Sequence, residues 1–177
     1  MSYREILRSV DAVLAGGDAA DIRRLIGAID AAPRIFIGGA GRSALAARFF
    51  AMRLMHCGYT VFVVGEIVTP SLAAGDLLSV LSGSGATETL LPIARKAAGI
   101  GARIALVTSR PQSPLAEIAT VRVLLGADGS AQSRPGLPMG TVFELSALVF
   151  LESVVFDIVT AKGLREEDLR ARHANLE

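Results

Sequence analysis

The chain has 177 residues, enough for one domain with a sizeable core and too few for a second of similar size. Eighteen basic and 17 acidic residues leave a net charge of +1, without the clustered Lys and Arg that nucleic-acid backbones require, so no nucleic-acid partner is expected. Cys57 stands alone, which excludes an internal disulfide and a cysteine-based metal knuckle. A hydrophobic fraction of 51% and a mean hydropathy of +0.49 exceed what one small core absorbs, and apolar surface of this kind usually goes into a subunit contact.

Ser2-Tyr3-Arg4-Glu5-Ile6 carries charge where a signal peptide needs an apolar run. Ser2-x-x-Glu5 reads as a capping box ahead of a helix bearing Ile6, Leu7, Val10, Val13 and Leu14. Gly16-Gly17 stops it, and Asp18 caps a second helix with Ile22, Leu25, Ile26 and Ile29 on one face. Ile35-Phe36-Ile37 reads as a buried strand running into Gly38-Gly39-Ala40-Gly41. A helix from Ser43 to about Cys57 follows, then the strand Val61–Val64. Leu77–Leu81 is a strand feeding Ser82-Gly83-Ser84-Gly85, with a helix over about Thr87–Ala98 and a strand over Arg103–Val107. A helical turn within Pro111–Ala119, a last strand at Val121–Leu125 and a Gly/Ser/Pro-rich surface loop over 126–140 come next. A long helix from Thr141 to about Ala161 ends at Gly163, and Glu166–Leu176 has the pattern of a final short helix.

Strands alternating with helices predict parallel pairing with right-handed crossovers. The expected fold is an α/β, doubly wound, five-stranded parallel sheet, preceded by two helices and followed by a helical tail. It forms a single domain over residues 1–177. The apolar tract Val142–Val159 is interrupted by Glu144, Glu152 and Asp157, so no membrane span is expected. Cytoplasm is the expected compartment.

Two loops stand where such sheets bind ligands, at the carboxyl ends of strands. These are Gly38-Gly39-Ala40-Gly41-Arg42-Ser43 and Ser82-Gly83-Ser84-Gly85-Ala86-Thr87. Glycines let the backbone approach a ligand closely, and exposed N–H groups with Ser or Thr hydroxyls favour an anion. One such loop alone is more simply a turn, with Ser84 or Thr87 as a helix cap; two in one short chain favour phosphate binding. Gly39-x-Gly41-x-x-Ala44 with Glu66 also matches a dinucleotide fingerprint. That reading leaves the second loop unexplained and the chain without a substrate domain.

Gly41-Arg42-Ser43 followed by Ser82-Gly83-Ser84-Gly85-x-Thr87 resembles the sugar isomerase (SIS) domain. Three further stretches are similar to the 6-phospho-3-hexuloisomerase family: Phe50-Ala51-Met52-Arg53-Leu54-Met55-His56, Pro138-Met139-Gly140-Thr141-x-Phe143-Glu144, and the tail Arg172-His173-Ala174-Asn175-Leu176-Glu177. The resemblance implies interconversion of 3-hexulose 6-phosphate and fructose 6-phosphate in the ribulose monophosphate route of formaldehyde handling. It also implies a homotetramer with no metal and no organic cofactor. Ala86 stands where similar proteins often carry a polar residue, which bears on fine substrate contacts. The alternatives are an arabinose 5-phosphate isomerase and a non-catalytic sugar-phosphate sensor.

The candidate base for such chemistry is Glu144, in the first turn of the long helix; Thr141-x-x-Glu144 is equally a capping-box pattern, and the resemblance favours catalysis. Substrate binding is assigned to Ser43, Ser82, Gly83, Ser84, Gly85, Ala86 and Thr87, with the phosphate taken mainly by Ser43, Ser82, Ser84 and Thr87 and the Gly83 and Gly85 amides. Arg42, at the mouth of the first loop, is suited to balancing ligand charge, and Arg53 to a surface or interface. His56 reads as a helix-end histidine. By composition His173 belongs to a solvated tail; by resemblance it is a second catalytic group reaching a neighbouring subunit's site. The long helix is apolar on more than one face, so a homo-oligomer, expected as a tetramer, is predicted.

Overall fold

The computed structural model describes residues 3–126, 131 and 137–176. In chain order the elements are α1 (Tyr3–Ala15), α2 (Ala19–Asp30), β1 (Ile35–Gly39), α3 (Gly41–His56), β2 (Val61–Val63) and β3 (Leu77–Leu81). Then come α4 (Leu90–Ile100), β4 (Arg103–Thr108), α5 (Pro114–Ile118), β5 (Val121–Leu124), α6 (Thr141–Lys162) and α7 (Glu166–Arg170). The five strands form one sheet in the order β2-β1-β3-β4-β5, and every pairing is parallel. The order reverses between β1 and β3, which opens a crevice beyond their carboxyl ends.

Period-two alternation explains the layers. Ile35, Ile37, Leu77, Leu81, Ala105 and Val107 point to one face, where they pack with α2, α3 and α6. Phe36, Leu78, Val80, Ile104 and Leu106 point to the other, under α4 and α5. Both faces are covered, so the central strands are continuous apolar runs rather than alternating ones. Asp18 caps α2 by accepting from the Ala20 N–H at 2.8 Å, as its position predicts. The Ser2 half of the proposed capping box and most of the 126–140 loop lie outside the described residues.

Two boundaries differ from the sequence expectation by three residues or more. Helix α4 starts at Leu90, not Thr87, because the Thr87 carbonyl accepts from the Leu90 and Leu91 N–H groups in a preceding turn. Helix α5 falls within the helical turn expected at Pro111–Ala119 and is capped by Ser113, whose hydroxyl accepts from the Ala116 N–H. Helix α7 ends at Arg170 and does not run on to Leu176. Beyond it the Arg172 guanidinium folds back to donate to the carbonyls of Asp168 and His56. Among the described residues no helix is long and apolar enough to cross a membrane.

Candidate active site

Close approach dictates the turn from β1 into α3. A Cβ on Gly39 would stand 2.8 Å from the Ala44 Cα, and Gly41 has φ +54, a conformation that suits glycine. The result brings the first turn of α3, with Arg42 and Ser43, over the end of β1. The amides there have no partner inside the helix.

The second loop is braced from below. The Gly83 carbonyl accepts from the Ser109 hydroxyl at 2.9 Å and the Thr108 hydroxyl at 3.2 Å. Gly85 has φ +61, and a Cβ there would fall 2.1 Å from the Ser113 Oγ. Ser82 is buried, its hydroxyl 2.9 Å from that of Thr87 and accepting from the Gly85 N–H at 3.1 Å. Ser84 is exposed and accepts from the Ala86 N–H at 3.2 Å. Neither Ser84 nor Thr87 caps α4; its N-cap is Thr89. The capping alternative for these two hydroxyls therefore does not describe the structure.

Helix α6 closes the third side. Its N-cap is Gly140, with φ +84, so Thr141 is already helical and no Thr141–Glu144 capping box forms. Phe143 is buried against the second loop; a Cβ on Gly83 would meet its ring at 2.9 Å. The Glu144 side chain is only 14% exposed, and its Oε2 accepts from the Arg42 Nε at 2.5 Å. Both carboxylate oxygens lie over Gly140, where a Cβ would stand 2.9 Å from each.

These three pieces enclose a cavity of about 280 Å³ lined by Ser43, Gly83, Ser84, Thr87, Met139, Gly140, Phe143 and Glu144. Of the expected site residues, Ser43, Gly83, Ser84, Thr87 and Glu144 thus converge. Ser82 and Gly85 support the loop from beneath, and the exposed Ala86 is not in the lining. Hydroxyls line one part of the wall and a carboxylate another. That arrangement suits an anion held at one end of a ligand and a proton moved at the other. Sequence reasoning missed the Arg42–Glu144 ion pair and the lining role of Met139 and Gly140. The Pro138–Glu144 stretch signalled that neighbourhood without showing the geometry.

His173 is not in this cavity. Its ring stacks on that of the buried His56, with centroids 5.2 Å apart, beside the C-terminal end of α3. Ser43 lies in the first turn of the same helix, 13 residues before His56 and ~20 Å away along the axis at 1.5 Å per residue. Burial first, then the neighbouring His173 and Arg53, holds His56 below the usual imidazole value. His56 is thus a buried ring partner more than a simple helix-end cation. Arg53 pairs with Glu152 at 3.0 Å, joining α3 to α6. Glu66, the residue a dinucleotide ribose would need, is instead paired with Arg48 at 2.6 Å.

Residues 28–148 match the SIS domain family model. The chain is 55% identical over 156 residues to a 3-hexulose-6-phosphate isomerase of Methylomonas aminofaciens, covering 87% of this chain and 86% of that one. It is 41% identical to the Bacillus subtilis protein of the same name, covering 81% and 80%. Among solved structures, a Methanococcus jannaschii protein superposes with a TM-score of 0.87 at 36% identity, over 97% of each chain; its structure was taken to infer a 3-hexulose-6-phosphate isomerase function. The convergence of both glycine-serine loops with Glu144 on one cavity agrees with these matches, and the chain belongs to the SIS-domain family of sugar isomerases.

Proposed function

We propose that this protein is a 3-hexulose-6-phosphate isomerase, interconverting 3-hexulose 6-phosphate and fructose 6-phosphate. The observation that carries the reading is a shielded carboxylate, Glu144, sharing one cavity with the Ser43, Ser84 and Thr87 hydroxyls. The hydroxyls and the first-turn amides of α3 hold the phosphate. The carboxylate stands where the carbon chain passes.

Moving the carbonyl from C3 to C2 needs no external oxidant, because C2 is oxidised as C3 is reduced. Glu144 takes the proton from C2, and the C2–H electron pair becomes the C2=C3 bond of an enediolate with charge on O3. The same carboxylate returns a proton to C3, and the O2 hydroxyl proton passes to O3. One carboxylate serves both carbons because they are neighbours on one edge. Arg42 holds Oε2, and Oε1 is assigned the proton transfers. A base fixed in this way needs no reorientation between the two transfers.

His173 completes this reading as an acid–base group for ring opening, supplied by a neighbouring subunit. In support, it sits at the far end of α3 from its own subunit's cavity. Exposed apolar side chains at Leu45 and Met52 on α3, and at Val149 and Phe156 on α6, form rows suited to contact with further copies. We assign a homotetramer, one SIS domain spanning residues 1–177, a cytoplasmic location, and a place in the ribulose monophosphate route of formaldehyde handling. A sensor of sugar phosphates needs no carboxylate at the reacting end. Glu144→Gln tests the reading: turnover should fall at least ~10²-fold while fructose 6-phosphate still binds. Near-normal turnover would remove Glu144 from the chemistry.

A further inference from the structure

We propose that His56, Gly58 and Arg172 form a clasp that fixes the His173 ring before a neighbouring subunit meets it, which makes them positioning residues for ring opening. The proposal rests on the reading of His173 above and says what holds that ring in place. Arg172-His173-Ala174-Asn175 follows the last helix with no apolar face to bury, so nothing in its composition orders it. An acid–base group must nevertheless stand within a fraction of an ångström of its working position.

Three contacts tie the tail to the end of α3. The Arg172 Nη1 donates to the His56 carbonyl at 3.2 Å and to the Asp168 carbonyl at 2.9 Å. The first of these belongs to the last turn of α3, where carbonyls have no partner inside their own helix. The guanidinium also lies against Gly58, where a Cβ would stand 3.3 Å from Nη2 and 3.4 Å from Cζ. Gly58 has φ +90, so the residue that lets the chain leave α3 also makes room for Arg172. Finally, the His56 and His173 rings stack with centroids 5.2 Å apart and planes 23° apart. His56 is buried and His173 exposed, so a fixed ring is the platform for a solvent-facing one. Burial holds His56 below the usual imidazole value, and the platform carries little charge near neutral pH.

Within the tail, His173 Nδ1 lies 3.0 Å from the Ala174 carbonyl oxygen. A carbonyl only accepts, so Nδ1 carries the proton in this contact and the lone pair of the neutral ring is on Nε2. Nε2 is therefore the atom assigned to the chemistry. In fructose 6-phosphate the O2–H electron pair becomes the C2=O2 bond as the C2–O5 bond breaks and its pair goes to O5. Nε2 takes the O2 proton and a proton returns from it to O5, so the imidazole is neutral again once the chain is open. 3-Hexulose 6-phosphate is open already and asks nothing of the clasp.

Arg172 is exposed, so Arg172→Met removes the clasp's donors without opening the core. Initial rates at saturating fructose 6-phosphate should then fall about 10- to 100-fold, and those at saturating 3-hexulose 6-phosphate should hold, with KM compensating. His56→Phe, which keeps a flat ring under His173, should stay close to the parent in both directions, whereas His56→Leu should share the Arg172→Met defect. The chain has two histidines, so nitrogen-15 labelling of histidine reads both rings in the intact protein. His173 should show the Nδ1-protonated pattern in the parent and drift toward the tautomer mixture of an unrestrained imidazole in Arg172→Met. A parent ring protonated on Nε2 would overturn the assignment of that atom. Direction-selective loss in His173→Ala, with Arg172→Met and His56→Leu unaffected, would overturn the clasp and leave ring opening by His173 standing. Equal losses in both directions in the clasp variants would overturn it too, making these residues structural. No direction-selective loss in His173→Ala would overturn the reading of His173 and the clasp with it.

Discussion

Replacing Gly140 by alanine tests whether the carboxylate's position, rather than its mere presence, carries the chemistry. The new methyl would stand 2.9 Å from Oε1 and from Oε2, and 3.1 Å from Cδ. Ordinary carbon–oxygen contact needs a few tenths of an ångström more, so the carboxylate must shift or turn. Its 2.5 Å ion pair with Arg42 must shift with it. Displacements approaching 1 Å at a reacting centre cost up to ~10²-fold in rate, so we expect kcat to fall ~10- to 100-fold. KM for the sugar phosphate should change little, because Ser43, Ser84 and Thr87 are untouched. The backbone adds its own cost, since φ is +84 at this position and alanine there costs about 1–2 kcal/mol. Gly163 separates the two effects. It has φ +60 at the other end of the same helix, and a Cβ there would meet nothing within 4 Å. Gly163→Ala should lose comparable stability in thermal unfolding and keep full kcat. Equal stability losses with kcat unchanged in both variants would refute the positioning argument.

Ser84→Ala and Thr87→Ala should raise KM more than they lower kcat, because these residues hold the non-reacting end of the substrate; an unchanged KM in both would make them structural. His173→Ala should slow fructose 6-phosphate conversion far more than 3-hexulose 6-phosphate conversion. A 3-ketose esterified at O6 cannot close a five-membered ring, whereas fructose 6-phosphate closes through O5 and must be opened. Initial rates at saturating substrate in both directions check this, with KM compensating so that the equilibrium constant is unchanged; equal losses would make His173 a positioning residue. His56, held below its ordinary value chiefly by burial, binds a proton less readily folded than unfolded. Its contribution to stability is therefore intact above ~6.5 and is lost as pH falls from there toward the folded value. Denaturant unfolding of His56→Gln should show a shallower loss of stability between about pH 7 and 5 than the parent chain, and an identical pH slope would contradict the burial argument.

The sheet was legible because each central strand is buried on both faces, and a run such as Leu77-Leu78-Ser79-Val80-Leu81, too short for a buried helix, fits little else. The two glycine-serine loops were legible for a related reason, since their glycines answer backbone demands that leave a trace in composition. The start of α4 was hidden because a backbone turn at Thr87, closed by the amides of Leu90 and Leu91, resembles a first helical turn in sequence. The Arg42–Glu144 pair could not be read at all: 102 residues separate the partners, and only the docking of α6 onto α3 brings them together. The end of α7 was equally hidden, because Arg172 reaches across to the His56 carbonyl on α3 and no local pattern announces it.

The most direct test supplies the wild-type chain with 3-hexulose 6-phosphate in deuterated water and follows the product by proton NMR. The account predicts fructose 6-phosphate as the product, with deuterium at C3 to the extent that the proton on Glu144 exchanges with solvent before its return. It also predicts that Glu144→Gln yields neither product nor label. Unchanged 3-hexulose 6-phosphate with the wild-type chain, or undiminished conversion by the variant, would contradict it.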